Sequence, residues 1–236
     1  MQQIDKIYQK PLKNNEKFVF DENTVSVFEN MINRSVPNYK FIVEMTGAIS
    51  QSFIKNHTNY YDLGCSLGAT TYSVIKNNTD KNFNIKAIDN SKAMLKGIQF
   101  NNPSIDFIFA DICDIKLENA SFISMNYVLQ FIAPSKRKNL LKNIWHGMNN
   151  DSCFILSEKI KFDSKSENIF QEDFQALFKK VNDYTDLEIA QKRTALEDVL
   201  VCERLGFYQE ILKEIGFKQV YQWFQSFNFI SIYAIK

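Results

Sequence analysis

Between residues 59 and 160 the sequence alternates between short apolar runs and amphipathic segments, and this limits the chain to few architectures. Runs such as FNIKAI and SFISMN are typical of buried strands, whereas ATTYSVIKN and PSKRKNLLKNIWHGM have the apolar spacing of helices. Parallel strands need crossover connections, which the helical segments supply. The pattern therefore predicts an α/β fold, a doubly wound, mostly parallel sheet with helices on both faces. The basic stretch PSKRKNLLKN is interpreted as the solvated start of one helix.

The segments before and after the sheet are expected to be helical. Residues 1–57 predict an N-terminal helical segment in which one helix ends before Pro37 and a second runs from about Tyr39 to Ile54. Residues 163–215 are charged and have a helical period, so they predict a helical cover, or lid, over the ends of the strands.

The chain ends in KQVYQWF and FNFISIYAI, which predict two strands antiparallel to each other around a turn at Gln225-Ser226. No stretch is rich enough in Pro, Gly or Ser to mark a linker. Residues 1–236 are therefore predicted to form a single domain.

Charge and composition exclude several classes of protein. The chain has 28 Lys and Arg against 27 Asp and Glu, which argues against direct binding to nucleic acid. Its four cysteines are widely spaced and it has only two histidines, so no metal site is expected. The first residues lack the apolar core of a signal peptide, and no apolar run is long enough for a membrane span. We expect a cytoplasmic protein without a membrane partner.

The first strand leads into the turn Gly64-Cys65-Ser66-Leu67-Gly68, and a helix follows it. Glycines in such a turn permit a tight bend and allow a ligand to approach the backbone N–H groups. Ser66 stands where dinucleotide-binding turns have their second glycine, which argues against a pyrophosphate. Taken alone, the turn would be as well explained by a simple connection between strand and helix.

Polar residues also end the next three predicted strands. Asp89, followed by Asn90, can accept both hydroxyls of a ribose. Asp111, with the apolar Ile112, can hold the edge of an adenine, and the amide of Asn126 can meet a group near the reacting atom. Each residue taken singly would be interpreted as a helix cap. Together at one sheet edge they predict a nucleoside site.

The chain resembles the carboxy-S-adenosyl-L-methionine synthase family in the residues and the order of five motifs: MINRSVPNY, DLGCSLG, AIDNSKAM, SFISMNYVLQF and EIAQKR. This family is part of the S-adenosylmethionine-dependent methyltransferase superfamily. The resemblance covers about residues 10–235. It implies a Rossmann-like sheet of seven strands with an antiparallel C-terminal strand.

The resemblance also implies the reaction. S-adenosylmethionine would be a substrate, prephenate would donate a carboxyl group to its methyl carbon, and phenylpyruvate would be released. A sulfonium acidifies the C–H bonds of its methyl group, and the deprotonated methyl can capture carbon dioxide. Relatives form homodimers, and their product serves a tRNA carboxymethyltransferase that modifies a wobble uridine.

The family's ligand-binding residues, carried over by motif, are Tyr39, Gly64, Cys65, Ser66, Asp89, Asn90, Asp111, Ile112, Asn126 and Arg193. Arg193 is also the expected catalytic residue, because a guanidinium can bind the added carboxylate through two hydrogen bonds. Without the family, Arg193 would be interpreted as a solvated helix charge. Arg34 is a weak candidate for the carboxylates of prephenate, and a surface role is the favoured interpretation. A conventional methyltransferase and a non-catalytic S-adenosylmethionine-binding protein stay open as alternatives.

Overall fold

The structure, a computed structural model, describes residues 4–10, 17–100, 102–197 and 199–236. In these ranges the chain forms eight α-helices: α1 (Glu22–Ser35), α2 (Tyr39–Ser50), α3 (Ala69–Asn77), α4 (Lys92–Gly97), α5 (Pro134–Gly147), α6 (Lys165–Val181), α7 (Asp186–Leu196) and α8 (Leu205–Ile215). The strands are β1 (Asn59–Leu63), β2 (Asn84–Asp89), β3 (Ile105–Phe109), β4 (Ala120–Asn126), β5 (Met148–Lys159), β6 (Gln219–Ser226) and β7 (Phe229–Ile235).

The seven strands form one sheet in the order β3-β2-β1-β4-β5-β7-β6. β1 to β5 pair in parallel, and β7 is antiparallel to both β5 and β6. One face packs on α5 and α8 through a large apolar cluster, and the other packs on α2 and α3. The predicted fold class, a doubly wound and mostly parallel sheet with an antiparallel C-terminal strand, is confirmed. No helix in the described ranges is long and apolar enough to cross a bilayer.

Three boundaries differ from the sequence-based predictions. α2 ends at Ser50, and residues 51–53 continue as a turn. The turn between the closing strands lies at Phe227-Asn228, because β6 extends through Ser226 and Phe227 has the left-handed φ of 51° that the turn requires. α8 is not part of the cover. Its buried Tyr208, Ile211 and Leu212 belong to the core of the sheet, so the cover consists of α6 and α7.

Arg34 ties the cover to α1. Its Nε donates to the carbonyl of Asn182 at 2.6 Å, and its guanidinium lies 4.0 Å from the centroid of the Tyr184 ring. The hydroxyl of Tyr184 in turn donates to the carboxylate of Asp5. Arg34 does not line the large cavity described below, so the structure gives it a structural role and contradicts its assignment to the carboxylates of prephenate.

The basic stretch at the start of α5 is not solvated throughout, because Arg137 is completely buried. Its guanidinium forms an ion pair with Glu203 at 3.2 Å and donates to the carbonyls of Ile132 and Val201, both at 2.9 Å. Arg137 therefore holds together α5, the loop after β4 and the segment that leads from the cover back to the sheet. A helix-start pattern rich in Lys and Arg gives no signal that one of its cations is inside.

We expect Arg137→Met to lower the free energy of unfolding by about 3–5 kcal/mol, because removal of the completely buried member of this ion pair leaves its partners unsatisfied. The neighbouring Lys138 is the control. Its pair with Glu214, at 2.6 Å, is exposed, so Lys138→Met should cost no more than about 1 kcal/mol. Urea unfolding followed by circular dichroism measures both. Equal losses in the two variants would show that Arg137 has no special structural role.

Candidate nucleoside-binding site

A cavity of about 1060 Å³ lies at the carboxyl ends of β1, β2, β4 and β5, below the cover formed by α6 and α7. All ten residues predicted from the sequence line it: Tyr39, Gly64, Cys65, Ser66, Asp89, Asn90, Asp111, Ile112, Asn126 and Arg193. The carboxyl ends of parallel strands meet at one edge of a sheet, and there the ligands of doubly wound folds bind. The topology thus gathers residues that are up to 154 positions apart (39 to 193).

The turn after β1 has a backbone that few side chains permit. Gly64 has a φ of 75°, and a Cβ there would lie 2.4 Å from Cγ2 of Val128. Gly68 also has a positive φ, 77°. Ser66, at φ 51°, adopts this left-handed region despite its side chain, and its N–H donates to Oδ2 of Asp89 at 2.8 Å. The turn and the end of β2 are therefore fixed relative to each other.

Asp89 has acceptor capacity left for a ligand. Its Oδ1 accepts the N–H of Ser91 at 2.8 Å and its Oδ2 accepts that of Ser66. A carboxylate has about four lone-pair positions, so two remain. Burial raises the pKa of Asp89, and the N–H groups of Ser91, Ser66 and Asn90 oppose this rise by stabilising the charged form. A half-buried carboxylate with this geometry can accept a pair of neighbouring hydroxyls.

Asp111 and Ile112 follow β3 at a short distance, since the strand ends at Phe109. Oδ1 of Asp111 accepts the N–H of Cys113 at 2.9 Å, which fixes the local turn. Ile112 is almost completely buried within the core and still contributes to the cavity lining. This side of the cavity thus presents an apolar surface with a carboxylate beside it.

Asn126, the last residue of β4, is held in one orientation. Ser157 donates to its Oδ1 at 2.6 Å, and its Nδ2 donates to Oγ1 of Thr70 at 3.3 Å. The carbonyl of the amide is therefore directed at β5, and the second N–H of its NH₂ group remains for a ligand.

Cys65 and Tyr39 are both electrically neutral. Burial, together with the negative charges of Asp62 and Asp89, raises the pKa of the Cys65 thiol far above its usual range. Cys65 is therefore not a thiolate nucleophile. Burial also raises the pKa of Tyr39, whose ring lies 6.3 Å from that of Tyr127.

Arg193 faces the cavity from α7 and keeps an exposed side chain. Within the described ranges its guanidinium makes no hydrogen bond and no ion pair. Its charge also acts on its surroundings. Burial lowers the pKa of Lys179 to about 7, and the positive charges of Lys192, Lys159 and Arg193 contribute to the same shift.

Several lining residues were missed by the sequence-based assignment. Asp62, in β1, is 2% exposed, and burial raises its pKa to about 6 although Thr71 and Ser124 donate hydrogen bonds to it. The position of Asp62 in the acidic-x-Gly motif could have been used to predict that it lines the cavity. Lys159, the last residue of β5, is a polar strand end like Asp89 and could have been found by the same signal. Gln175 and Lys179 had no such signal, because nothing in a charged helical stretch indicates which polar residues turn inward. In the described part of the chain, no His, Cys, Asp or Glu side chains group into a metal site.

The order of the strands, the glycine turn after β1 and the acidic end of β2 define the fold class of the S-adenosylmethionine-dependent methyltransferases. Solved structures share this fold. Human N-acetylserotonin methyltransferase in complex with SAM matches 91% of this chain and 56% of its own, with a TM-score of 0.61 at 15% identity. An O-methyltransferase family protein from Burkholderia thailandensis matches 95% of this chain and 65% of its own, with a TM-score of 0.65 at 8% identity.

Curated relatives are much more similar in sequence. Carboxy-S-adenosyl-L-methionine synthases from Shewanella sediminis and Vibrio campbellii are each 40% identical to this chain over 238 aligned positions, which cover 98% of the chain and 98% and 97% of the two relatives. No family model matches the sequence. The chain belongs to the carboxy-S-adenosyl-L-methionine synthase family, and it is an enzyme.

Proposed function

We propose that this enzyme transfers a carboxyl group from prephenate to the methyl carbon of S-adenosylmethionine and so forms carboxy-S-adenosylmethionine and phenylpyruvate. Membership of the family supports this reaction. The observation that carries it is the Arg193 guanidinium, which lines the nucleoside cavity and has no protein partner in the described ranges. A methyltransferase that only donates methyl groups has no need of a cation there, whereas a carboxylated sulfonium ligand does.

The cavity suits the nucleoside part of S-adenosylmethionine. Asp89 would accept the two ribose hydroxyls, and the wall at Asp111 and Ile112 would face the adenine. The backbone of the Gly64 turn would approach the amino acid end of the ligand, where a side chain at position 64 would already clash with Val128. A metal ion has no part in this proposal.

The reaction balances without a further reactant. Prephenate loses its ring carboxyl group as carbon dioxide and its hydroxyl group as water, and its ring becomes aromatic. The departing hydroxyl group becomes this water by taking up the proton that leaves the methyl group of S-adenosylmethionine, and the new C–C bond joins that carbon to carbon dioxide. The products are carboxy-S-adenosylmethionine, phenylpyruvate and water. The substrate thus supplies the proton acceptor, and the protein needs no His or Lys base at the methyl group.

The chain's own residues would orient the reactants and exclude water. The cover lies over the cavity and limits the access of water, which would otherwise protonate the deprotonated methyl carbon or carry off the carbon dioxide. Cys65 stays protonated, so it does not compete as a nucleophile for the sulfonium's methyl group.

A turnover assay tests the proposal against the alternative of a conventional methyltransferase. Purified protein is given S-adenosylmethionine with or without prephenate. We expect phenylpyruvate and carboxy-S-adenosylmethionine to appear in equal amounts, and only when both substrates are present. Transfer of labelled methyl groups to an acceptor without any effect of prephenate would instead establish the conventional activity. Binding of S-adenosylmethionine without turnover of either kind would favour a non-catalytic protein.

The product would serve a tRNA carboxymethyltransferase in the cytoplasm that modifies a wobble uridine. The near-zero net charge supports an indirect connection to tRNA, because a protein that itself holds RNA needs an excess of Lys and Arg.

We also infer that the chain forms a homodimer through the outer face of α6. This face carries Phe170, Phe174, Leu177 and Val181 at helical spacing, and all four are exposed. Phe174 continues the apolar surface to the Phe227 ring, 6.1 Å away. A connected apolar surface of this kind marks an interface. A second copy is the proposed occupant, because a net charge of +1 gives two copies little repulsion to overcome.

Sedimentation velocity tests the dimer. We expect the wild-type chain to sediment as a dimer and Phe170→Glu to weaken association at least about 10-fold, because the variant places a charge in an apolar contact. Tyr72→Glu, on α3 and equally exposed, is the control and should stay dimeric. A monomeric wild type, or a Phe170→Glu variant that associates like the control, would refute this interface.

A further inference from the structure

The strand ends that line the cavity differ in charge. The carboxylates of Asp89 and Asp111 follow β2 and β3, whereas the cation Lys159 is the last residue of β5. β1 and β4 separate β2 from β5, so Asp89 and Lys159 are three strand spacings apart, roughly 14 Å. Lys179, from α6, belongs to the cationic end and lies close enough to Lys159 to feel its charge. The nucleoside proposed above occupies the acidic end, which leaves the cationic end for another group.

α6 is amphipathic, but its polar side faces the protein and its apolar side faces solvent, which is the reverse of an ordinary surface helix. Its only residue below 9% exposure is Gln175, at 8%, while its apolar stripe points outward. Glu172, Gln175, Ala176 and Lys179 face the cavity. Gln175 and Lys179 are four positions apart and therefore lie on the same side of the helix. A helix that turns its polar side inward has a polar partner there, since buried polar groups are nearly always paired.

The groups at the cationic end lack that partner within the protein. In the described ranges, the side chains of Lys159, Gln175 and Lys179 make no hydrogen bond or ion pair. Lys192 differs, because it donates to Oγ of Ser35 at 2.7 Å. Glu172 is the carboxylate whose charge acts on Lys159, but it forms no ion pair with it. Half-buried positive charge without an ion-pair partner is costly, and it is expected where an anion binds.

We propose that Lys159, Gln175 and Lys179 form a subsite for the carboxylates of the second substrate, a small dicarboxylate with an apolar ring. This inference rests on the proposed function. The two lysine side chains bind the carboxylates as ammonium groups, because a bound anion favours their charged form, and the amide of Gln175 donates a further hydrogen bond. Phe229, whose ring centroid is 6.0 Å from Nζ of Lys159, supplies apolar surface for the ring. Arg193 is left free for the carboxyl group in its new position.

Calorimetry tests the subsite without turnover, using prephenate and protein saturated with S-adenosylhomocysteine, which has no methyl group to react. We expect Lys159→Met and Lys179→Met each to weaken prephenate binding about 10- to 100-fold, because each loses a charge-assisted hydrogen bond. Lys179→Arg keeps the charge and should stay within about 5-fold of wild type. Lys180→Met is the matched control, since Lys180 is an exposed neighbour paired with Asp186 at 2.7 Å.

S-adenosylhomocysteine affinity reports whether the variants fold and whether the subsite is distinct. It should change less than about 3-fold in every variant. The subsite is overturned if wild type does not bind prephenate, if Lys179→Met binds it like Lys180→Met, or if S-adenosylhomocysteine affinity falls by the same factor. The turnover assay on the wild type decides the proposed function separately. A wild type that binds prephenate and converts none of it would retain the subsite and lose the reaction.

Discussion

Arg193→Ala should weaken binding of carboxy-S-adenosylmethionine by about 10- to 150-fold, because a charge-assisted contact to a carboxylate is worth about 1.5–3 kcal/mol. The affinity for S-adenosylmethionine should change less than about 3-fold, because that ligand has no carboxylate at its methyl carbon. The selectivity follows from the position of Arg193, which lines the cavity from α7 and is not part of the strand-end wall at Asp89 and Asn126.

Arg193→Lys distinguishes the shape of the cation from its charge. An ammonium keeps the charge but cannot form two parallel hydrogen bonds, so this variant should fall between wild type and Arg193→Ala. Arg204→Ala is the control, because Arg204 is an exposed arginine paired with Asp163 at 2.7 Å. Calorimetry with both ligands measures the effects. Equal losses for the two ligands would contradict the assignment of Arg193 to the added carboxylate.

Asp89→Ala should weaken the binding of S-adenosylmethionine and of carboxy-S-adenosylmethionine by the same factor. Its total effect should be larger than that of Arg193→Ala. The variant loses the acceptor for both ribose hydroxyls, and it also leaves the N–H groups of Ser66 and Ser91 without their present partner. Two contacts to a charged group at about 1.5–3 kcal/mol each predict a loss of at least about 100-fold for each ligand.

Asp89→Asn tests how much of this effect belongs to the charge. The amide keeps one acceptor oxygen, so binding should be intermediate. Asp106→Ala, in the exposed part of β3, is the control and should bind both ligands like wild type. Circular dichroism confirms that each variant folds. An Asp89→Ala variant that retains full affinity would show that the ribose lies elsewhere in the cavity.

The sequence was sufficient to predict the sheet and the strand-end wall because both depend on local patterns. Alternating apolar and amphipathic segments specify a parallel sheet, and the sheet then brings Gly64, Asp89, Asp111 and Asn126 to one edge. The turn at Phe227-Asn228 was misplaced by two residues, since β6 extends through Gln225 and Ser226 while polar residues there gave the signal of a turn.

The orientation of the cover could not be predicted from local patterns. The apolar stripe of α6, Phe170 among it, would ordinarily predict the buried face of a helix, yet it points outward while Gln175 and Lys179 face the cavity. The burial of Arg137 is a similar case, because its partners come from segments distant in sequence. α8 was wrongly assigned to the cover because the spacing of its apolar residues indicates a helix but does not indicate the layer in which that helix packs.

The central claim is that the methyl carbon of S-adenosylmethionine gains a carboxyl group in this cavity. Mass spectrometry tests it most directly. Purified protein is incubated with S-adenosylmethionine and with prephenate labelled with ¹³C in its ring carboxyl group, and the ligand is then released by denaturation. We predict a ligand with the mass of S-adenosylmethionine plus one labelled carbon dioxide. Recovery of unchanged S-adenosylmethionine alone, or of S-adenosylhomocysteine, would contradict the account.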